Sequence, residues 1–275
     1  MGKEKFSVLL SLYKSENPEY LKQALDSILG QTILPDEIVI VRDGPITSEL
    51  EVVLKEYCNK SDLFRIIPFS VNRGLGLALR DGVEACKYEL IARMDTDDVC
   101  ELDRFEKQLQ YLKQNPDVAL LGTAIDEFSE DINNPDSILV LPSKHNDIVN
   151  FAKFRNPFKH PTVFFKKSAV IASGNYRHFL WFEDYDLFVR MIKFGFVTAN
   201  LPNVLVHVRA NQDQFARRGG IRYAKQDFRF ESYLNQIDFI NIYEFYRNIL
   251  IRCSVRLLPN SIRINLYKFI LRNKK

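Results

Sequence analysis

Short apolar segments alternate with segments of helical periodicity along the first 95 residues of the chain. The apolar segments, which predict buried parallel strands, cover residues 6–12, 37–41, 64–69 and 90–94. Between them apolar residues recur every three or four positions, and Asn17-Pro18 supplies a helix N-cap with proline at the first helical position. This alternation predicts an α/β fold in which helices flank both faces of a mainly parallel sheet.

The second half of the chain has a less regular pattern. It predicts helices over 103–114, over 145–154 and from 181 onward, and strands over 117–122, 162–165, 196–199 and 204–208. Residues 129–137 are polar and rich in Asn and Asp, so we expect a surface loop there. The compact part of the chain is expected to end near residue 220.

The predicted strand at 90–94 runs directly into the acidic segment Asp95-Thr96-Asp97-Asp98. Open α/β sheets bind ligands at the carboxyl ends of their strands, where these carboxylates should lie. No Lys or Arg occurs between Met94 and Leu102 to neutralise them, whereas Mg²⁺ or Mn²⁺ would bind both carboxylate and phosphate oxygens. The pattern therefore indicates a metal–diphosphate site. The alternative is a solvated acidic loop that caps the next helix.

Two further loops at the same predicted edge could contact a nucleotide. Asp43 could accept hydrogen bonds from a base or ribose, and Asn72-Arg73-Gly74 could offer backbone N–H groups and a guanidinium to phosphate. The alternatives are a turn-forming Asp-Gly and a glycine-rich helix start. The first strand-to-helix turn, residues 11–16, contains no glycine, which argues against a dinucleotide-binding Rossmann site.

Acidic and imidazole side chains supply the remaining candidate chemistry. Glu183 and Asp184 open a predicted helix, where acids complement the helix dipole, but a carboxylate held there could also act as a general base. Trp181 and Phe182 precede them and could stack on a substrate ring. His207 lies on one face of the last predicted strand and is a further candidate metal ligand.

Composition places the chain among soluble globular proteins and indicates neither a zinc site nor a disulfide framework. The four cysteines, Cys58, Cys86, Cys100 and Cys253, have no metal-ligand spacing. The apolar run at 6–12 is too short for a signal peptide or a membrane span, so we expect a reducing, cytoplasmic location.

The net charge of +3 is unevenly distributed along the chain. Residues 245–275 contain eight basic residues and no acid, so the rest of the chain is acidic overall. Apolar residues alternate with these cations, and we therefore expect the tail over 221–275 to form basic amphipathic helices on the inner face of the cytoplasmic membrane. The alternative is a pair of helices that cover the sheet. The acidic body argues against a nucleic-acid partner.

Taken together, these segments resemble the inverting glycosyltransferases of family 2, which have the nucleotide-sugar-binding GT-A fold. The resemblance covers residues 6–218 and is carried by short blocks in the family's order. These blocks are residues 6–13, 27–32 with 36–44, 72–74, 94–98 and 183–184. The resemblance implies a GT-A domain over 1–220, with a nucleotide-binding half over 1–100, an acceptor half over 101–220 and a C-terminal helical extension.

The resemblance also implies a role for each motif residue. Asp97 would be the metal ligand, and Asp95 would lie against the metal or the nucleotide. Asp184 would be the catalytic base, with Glu183 orienting the acceptor. The implied nucleotide-sugar contacts are Ser11, Tyr13, Glu16, Asp43, Asn72, Arg73, Gly74, Asp95, Arg217 and Arg218.

One departure from the family pattern bears on the reaction. Arg218 stands where processive members have Trp in the motif Gln-x-x-Arg-Trp, which favours transfer of a single sugar. The chain is most similar to bacterial enzymes of capsule, exopolysaccharide and O-antigen assembly. That similarity implies a UDP-sugar donor, Mg²⁺ or Mn²⁺, and a lipid-diphosphate-linked acceptor. The competing hypothesis is a nucleotide-sugar- or carbohydrate-binding module without catalysis, which would need Asp43 and Asp97 but not Asp184.

Overall fold

The computed structural model describes residues 4–210 and 219–258. The helices in these ranges are α1 (Pro18–Leu29), α2 (Ser48–Lys60), α3 (Leu75–Ala85), α4 (Arg104–Gln114), α5 (His145–Ala152), α6 (Lys167–Ala172), α7 (Glu183–Lys193), α8 (Ile221–Gln236) and α9 (Ile242–Leu257). The strands are β1 (Phe6–Leu12), β2 (Glu37–Arg42), β3 (Phe64–Pro68), β4 (Leu90–Arg93), β5 (Val99–Cys100), β6 (Val118–Phe128), β7 (Ser137–Leu139), β8 (Phe164–Lys166) and β9 (Val197–Arg209).

The strands pair in the order β3-β2-β1-β4-β8-β6-β9-β5, and β7 lies beside β6. The first four in this order are parallel, as the sequence pattern predicts. β8 is antiparallel to both β4 and β6, whereas β9 runs parallel to β6 over a long register. The carboxyl ends of β1, β2 and β4 therefore meet at one edge of the sheet.

Alternate residues of the central strands face two separate cores. Leu9 on β1 packs in the core covered by α3, α7 and α8, whereas its neighbours Val8 and Leu10 pack in the core covered by α1, α2 and α4. Val39 and Ile40 on β2 divide in the same way. This two-residue period confirms the predicted sheet with helices on both faces.

The prediction of two strands over 196–199 and 204–208 is wrong, because β9 is one continuous strand. Pro202 lies between the two predicted strands, and proline has no backbone N–H to donate to a regular ladder. The strand instead passes Pro202 through register shifts in its pairing with β6, on either side of Ala124.

The helices α8 and α9 form an antiparallel hairpin that packs on the domain. Phe230 and Leu234 of α8 lie in the core with α7 residues. The Asn248 side-chain amide on α9 donates 2.8 Å hydrogen bonds to the Lys153 carbonyl and to the Glu231 carboxylate. The described part of the predicted tail thus covers the domain with one face. Among the described residues, no helix combines the length and the apolar character that crossing a membrane requires.

Candidate active site

The acidic loop after β4 gathers three carboxylates into one cluster. Oxygen atoms of Asp95, Asp97 and Asp98 lie within 4.8 Å of one another. Burial, followed by the charge of Asp95, raises the pKa of Asp97 to about 6, and burial raises the pKa of Asp98 well above its ordinary value. Crowded carboxylates that resist ionising together are stabilised by a hard divalent cation, so the donor set fits Mg²⁺ or Mn²⁺.

Arginines from outside the loop hold it in place and supply positive charge. Arg93 forms an ion pair with Asp95. The backbone N–H of Arg209 donates to Asp98 Oδ1 over 3.0 Å, and its Nε donates to the Asp97 carbonyl over 3.2 Å. Asp98 is therefore buried and tied to β9, whereas Asp95 and Asp97 are half-buried. Residues 95–101 contain no Lys or Arg, so the local sequence gave no indication that the distant Arg209 contacts this loop.

The loop after β1 reaches the same cluster. Burial and then the charges of Asp97 and Asp95 raise the pKa of Glu16 to about 7. Ser11 near the end of β1 is half-buried, and the Tyr13 side chain is partly exposed. Sequence reasoning placed all three residues at the nucleotide site, and the structure brings Glu16 to the acidic loop.

The two other predicted nucleotide loops form a single unit. Asp43 Oδ1 accepts a 2.7 Å hydrogen bond from the Arg73 backbone N–H, and Oδ2 accepts one of 2.9 Å from Gly74. The Asn72 side chain donates in turn to the Asp43 carbonyl over 3.1 Å. Gly44 has φ +89°, and a Cβ there would lie 2.6 Å from the Asn72 nitrogen, so only glycine fits this turn. Asp43 thus fixes the loop that was predicted to contact the donor.

Glu183 and Asp184 begin α7 in different environments. Asp184 Oδ2 accepts a 2.7 Å hydrogen bond from the Asn156 side chain, and Oδ1 accepts one of 2.8 Å from the Tyr185 backbone. Burial raises the pKa of Asp184, while these hydrogen bonds and the charge of Arg93 oppose the increase. Asp184 is therefore a half-buried carboxylate that two hydrogen bonds hold in one orientation.

Glu183 is less constrained than its neighbour. Burial, followed by the charge of Asp184, raises the pKa of Glu183 to about 7. Its Oε2 atom is buried and has no hydrogen-bond partner within residues 4–210 and 219–258. Glu183 therefore has a buried oxygen without a hydrogen-bond partner in the described part of the chain, directly beside Asp184.

Arg93 links the acidic loop to the start of α7. Its side chain is only 2% exposed, and its charge lowers the pKa of both Glu183 and Asp184. Its Nε and Nη1 atoms have no hydrogen-bond partner in the described part of the chain. Sequence reasoning missed this residue, although an arginine inside an apolar strand was a signal, since a buried charge requires compensation.

We expect replacement of Arg93 by Met to move the acid limb of the kcat–pH profile to higher pH. Without the cation, the carboxylate of Asp184 is harder to ionise, and loss of an opposite charge nearby raises a pKa by about 1 unit or more. Arg93→Lys keeps the charge and serves as the matched control, with a smaller shift. An Arg93→Met profile that superimposes on wild type would show that Arg93 has no influence on the base.

The aromatic residues before α7 serve the packing of the hairpin. Phe182 is buried and stacks on Phe230 at 4.6 Å between ring centroids, so it cannot stack on a sugar as expected. Trp181 stacks on Tyr223 at 4.5 Å and remains partly exposed. Of the two aromatic residues, Trp181 alone keeps an exposed surface beside the carboxylates.

The structure does not bring His207 together with the aspartate cluster. Its Nδ1 lies 2.8 Å from Asp126 Oδ1, and its Nε2 lies 3.0 Å from Glu101 Oε1. Burial alone would lower the pKa of His207, but hydrogen bonds to these carboxylates and their charges raise it. Both ring nitrogens are thus engaged in crosslinking the strands, and this conformation offers neither to a metal. The predicted donor contacts Arg217 and Arg218 lie outside the described residues.

Comparison with known sequences identifies relatives along nearly the whole chain. The family described as Glycosyl transferase family 2 matches residues 7–174. The amylovoran biosynthesis glycosyltransferase AmsE of Erwinia amylovora is 43% identical over 266 residues, which span 96% of this chain and 98% of AmsE. The Escherichia coli UDP-Gal:alpha-D-GlcNAc-diphosphoundecaprenol beta-1,3-galactosyltransferase is 37% identical over 271 residues, which span 98% of this chain and 97% of that protein.

Solved structures with low sequence identity share the fold. Residues 1–349 of S. aureus TarS, in complex with UDP-GlcNAc, match with a TM-score of 0.68 at 14% identity, over 98% of this chain and 76% of that one. The mannosyltransferase PcManGT of Pyrobaculum calidifontis, in complex with GDP-Man and Mn²⁺, matches with a TM-score of 0.66 at 15% identity, over 96% of this chain and 73% of that one.

Proposed function

Since the chain belongs to glycosyl transferase family 2 and has the GT-A fold, we propose that it transfers one sugar, with inversion, from a nucleotide-diphosphate donor to a saccharide acceptor. The observation that carries this proposal is that two clusters of carboxylates lie near the buried Arg93. One is the acidic loop with Asp95 and Asp97, and the other is Glu183 with Asp184 at the start of α7. The exposed side of the acidic loop suits a cation and a diphosphate, and Asp184 is held as a base. A binding module without catalysis would not need a carboxylate held as Asp184 is.

The donor is proposed to be a UDP-sugar. The E. coli relative is named for UDP-Gal, and the TarS neighbour is in complex with UDP-GlcNAc. In our proposal the unit formed by Asp43 and residues 72–74 binds the nucleoside end, where the remaining lone pairs of Asp43 can accept hydrogen bonds from the uracil. We propose that Ser11, Tyr13 and Glu16 also contact the donor, as do Arg217 and Arg218, which lie outside the described residues.

The proposed cofactor is Mg²⁺ or Mn²⁺, bound by Asp97 with the help of Asp95. When bound, such an ion supplies positive charge that stabilises the departing diphosphate. The geometry of the loop supports this assignment, because carboxylate oxygens of Asp95, Asp97 and Asp98 lie within 4.8 Å of one another. Burial and then the charge of Asp95 raise the pKa of Asp97, and a bound cation would favour its ionised form.

Inversion follows from a single displacement at the anomeric carbon, with the acceptor hydroxyl attacking opposite the diphosphate. Asp184 accepts the proton of that hydroxyl as the new bond forms. Its hydrogen bonds to Asn156 and to the Tyr185 backbone hold it in one orientation. Glu183, the neighbour of Asp184 at the start of α7, orients the acceptor.

The acceptor is proposed to be a lipid-diphosphate-linked saccharide in the biosynthesis of a cell-surface polysaccharide. The names of AmsE and of the E. coli relative support this class. Such an acceptor resides in a membrane, so the proposal includes a cytoplasmic enzyme bound peripherally to the inner face of the cytoplasmic membrane through its basic tail, residues 221–275.

A donor screen tests the proposed function. The purified chain is incubated with UDP- and GDP-sugars, with and without Mn²⁺, together with a GlcNAc-diphosphate carrying a short alkyl chain as acceptor. We expect nucleotide release that depends on Mn²⁺, on acceptor and on one UDP-sugar. Donor binding by calorimetry without release under any condition would favour the non-catalytic binding module.

A further inference from the structure

The outer side of the α8–α9 hairpin exposes an apolar surface, which we call the hairpin face. Six large apolar side chains on it are at least half exposed: Ile221, Phe228, Tyr243, Tyr246, Leu250 and Leu257. Those on α9 follow helical spacing and so share one side of that helix. A groove of about 640 Å³ opens between the two helices, where Ala224 and Cys253 form part of its lining. Contiguous exposed apolar surface of this kind marks an interaction site.

The acidic side chains of the hairpin helices are directed away from this face. Asp227 is fully buried and forms ion pairs with Arg252 at 3.1 Å and Arg256 at 2.7 Å. Glu231 is buried and lies 3.0 Å from the Nε of Arg252. Glu244 caps its own helix at Asn241. The carboxylates of the two helices are thus engaged by partners within the fold. They do not reduce the positive charge of the hairpin face.

Cations, in contrast, accompany the apolar residues outside. Lys225 and Arg229 are exposed and line the groove beside Phe228. A surface that combines aromatic and aliphatic side chains with Lys and Arg is complementary to an anionic bilayer, whose headgroups attract cations while its acyl region accepts the apolar groups.

We infer that the hairpin face docks on the surface of an anionic lipid bilayer. This inference rests on the proposed lipid-linked acceptor, and it assigns the contact to described residues of α8 and α9 rather than to the basic charge of residues 259–275.

The inner side of the same hairpin explains how docking would serve the reaction. Tyr223 of α8 stacks on Trp181, and Phe230 stacks on Phe182, directly before Glu183. The start of α7 is therefore separated from the docking surface by one helix, a thickness of about 10 Å. A bilayer against the hairpin face would bring lipid headgroups, and the diphosphate of a lipid-linked acceptor, close to the catalytic carboxylates.

Co-sedimentation of the full chain with vesicles tests the inference. The double variant Phe228→Ser, Leu250→Ser removes apolar contacts from the hairpin face. The matched control, Val52→Ser with Phe194→Ser, removes equally exposed apolar side chains elsewhere. On vesicles of phosphatidylcholine and phosphatidylglycerol, we expect the hairpin variant to bind at least about tenfold more weakly than wild type, and the control to bind normally.

Two further measurements separate docking from folding and from catalysis. The hairpin variant should keep wild-type turnover on the short-chain acceptor, which shows that it is folded, and Lys225→Glu with Arg229→Glu should weaken binding most at low salt. Wild-type vesicle binding by both hairpin variants would overturn the inference. A wild-type chain that binds vesicles through this face but transfers no sugar would refute the proposed function and leave the docking surface standing.

Discussion

Replacing Asp184 by Asn is expected to lower kcat by about 10²–10⁴-fold, the usual effect of removing a general base. The amide has the shape of the carboxylate but cannot accept the proton of the acceptor hydroxyl. Binding of UDP and Mn²⁺ should be unchanged, because Asp184 is not part of the aspartate cluster. Single-turnover rates measured with saturating donor, together with calorimetry of UDP binding, check both expectations.

The neighbouring residues provide the controls for this experiment. Glu183→Gln should mainly raise the KM for the acceptor, since Glu183 is proposed to orient it. Asn156→Ala removes the 2.7 Å hydrogen bond to Asp184 and should give an intermediate loss. An active Asp184→Asn variant together with an inactive Glu183→Gln variant would assign the role of the base to Glu183. Wild-type turnover in both would place the base elsewhere.

Replacing Asp97 by Asn is expected to weaken Mn²⁺-dependent UDP binding by at least about 100-fold. Removal of a residue that only hydrogen-bonds to a metal ligand already lowers metal affinity by about 10–100-fold, and loss of a direct ligand should have a larger effect. The metal-free fold should be as stable as wild type or more so at pH 7. The pKa of Asp97 in the fold, about 6, lies above its ordinary value. The unfolded chain loses this proton at lower pH than the fold does, so stability falls as the pH rises towards about 6 and the full loss is present at pH 7. A neutral amide removes this loss.

Calorimetry with and without Mn²⁺ and thermal unfolding without metal measure the two effects of Asp97→Asn. Asp103→Asn is the matched control, because Asp103 lies at the start of α4 and pairs with Lys107 outside the cluster. Unchanged UDP affinity in Asp97→Asn at saturating Mn²⁺ would contradict the role of Asp97 as a metal ligand.

The parallel half of the fold was predictable because its determinants are local. The bounds of β1 follow from an apolar run and the start of α1 from Asn17-Pro18, and the structure reproduces both. The acidic loop and the Asp43 turn were placed at the correct sheet edge, since the carboxyl ends of parallel strands must meet there.

The features that sequence reasoning missed depend on contacts between distant segments. Arg209 reaches the acidic loop across 111 positions of the chain, and Asn156 reaches Asp184 across 28. The carboxylates that engage both ring nitrogens of His207 also come from other segments. Pattern and spacing describe neighbours along one element, whereas these contacts are set by the order of strands in the sheet.

The most direct test of the central claim is the structure of the product made by the wild-type enzyme. NMR spectroscopy of the short-chain acceptor after reaction with an α-linked UDP-sugar reports both the number of sugars added and the anomeric configuration of the new bond. We expect one added sugar in a β linkage. An α linkage would contradict the single displacement assisted by Asp184, and a polymer would contradict the transfer of one sugar.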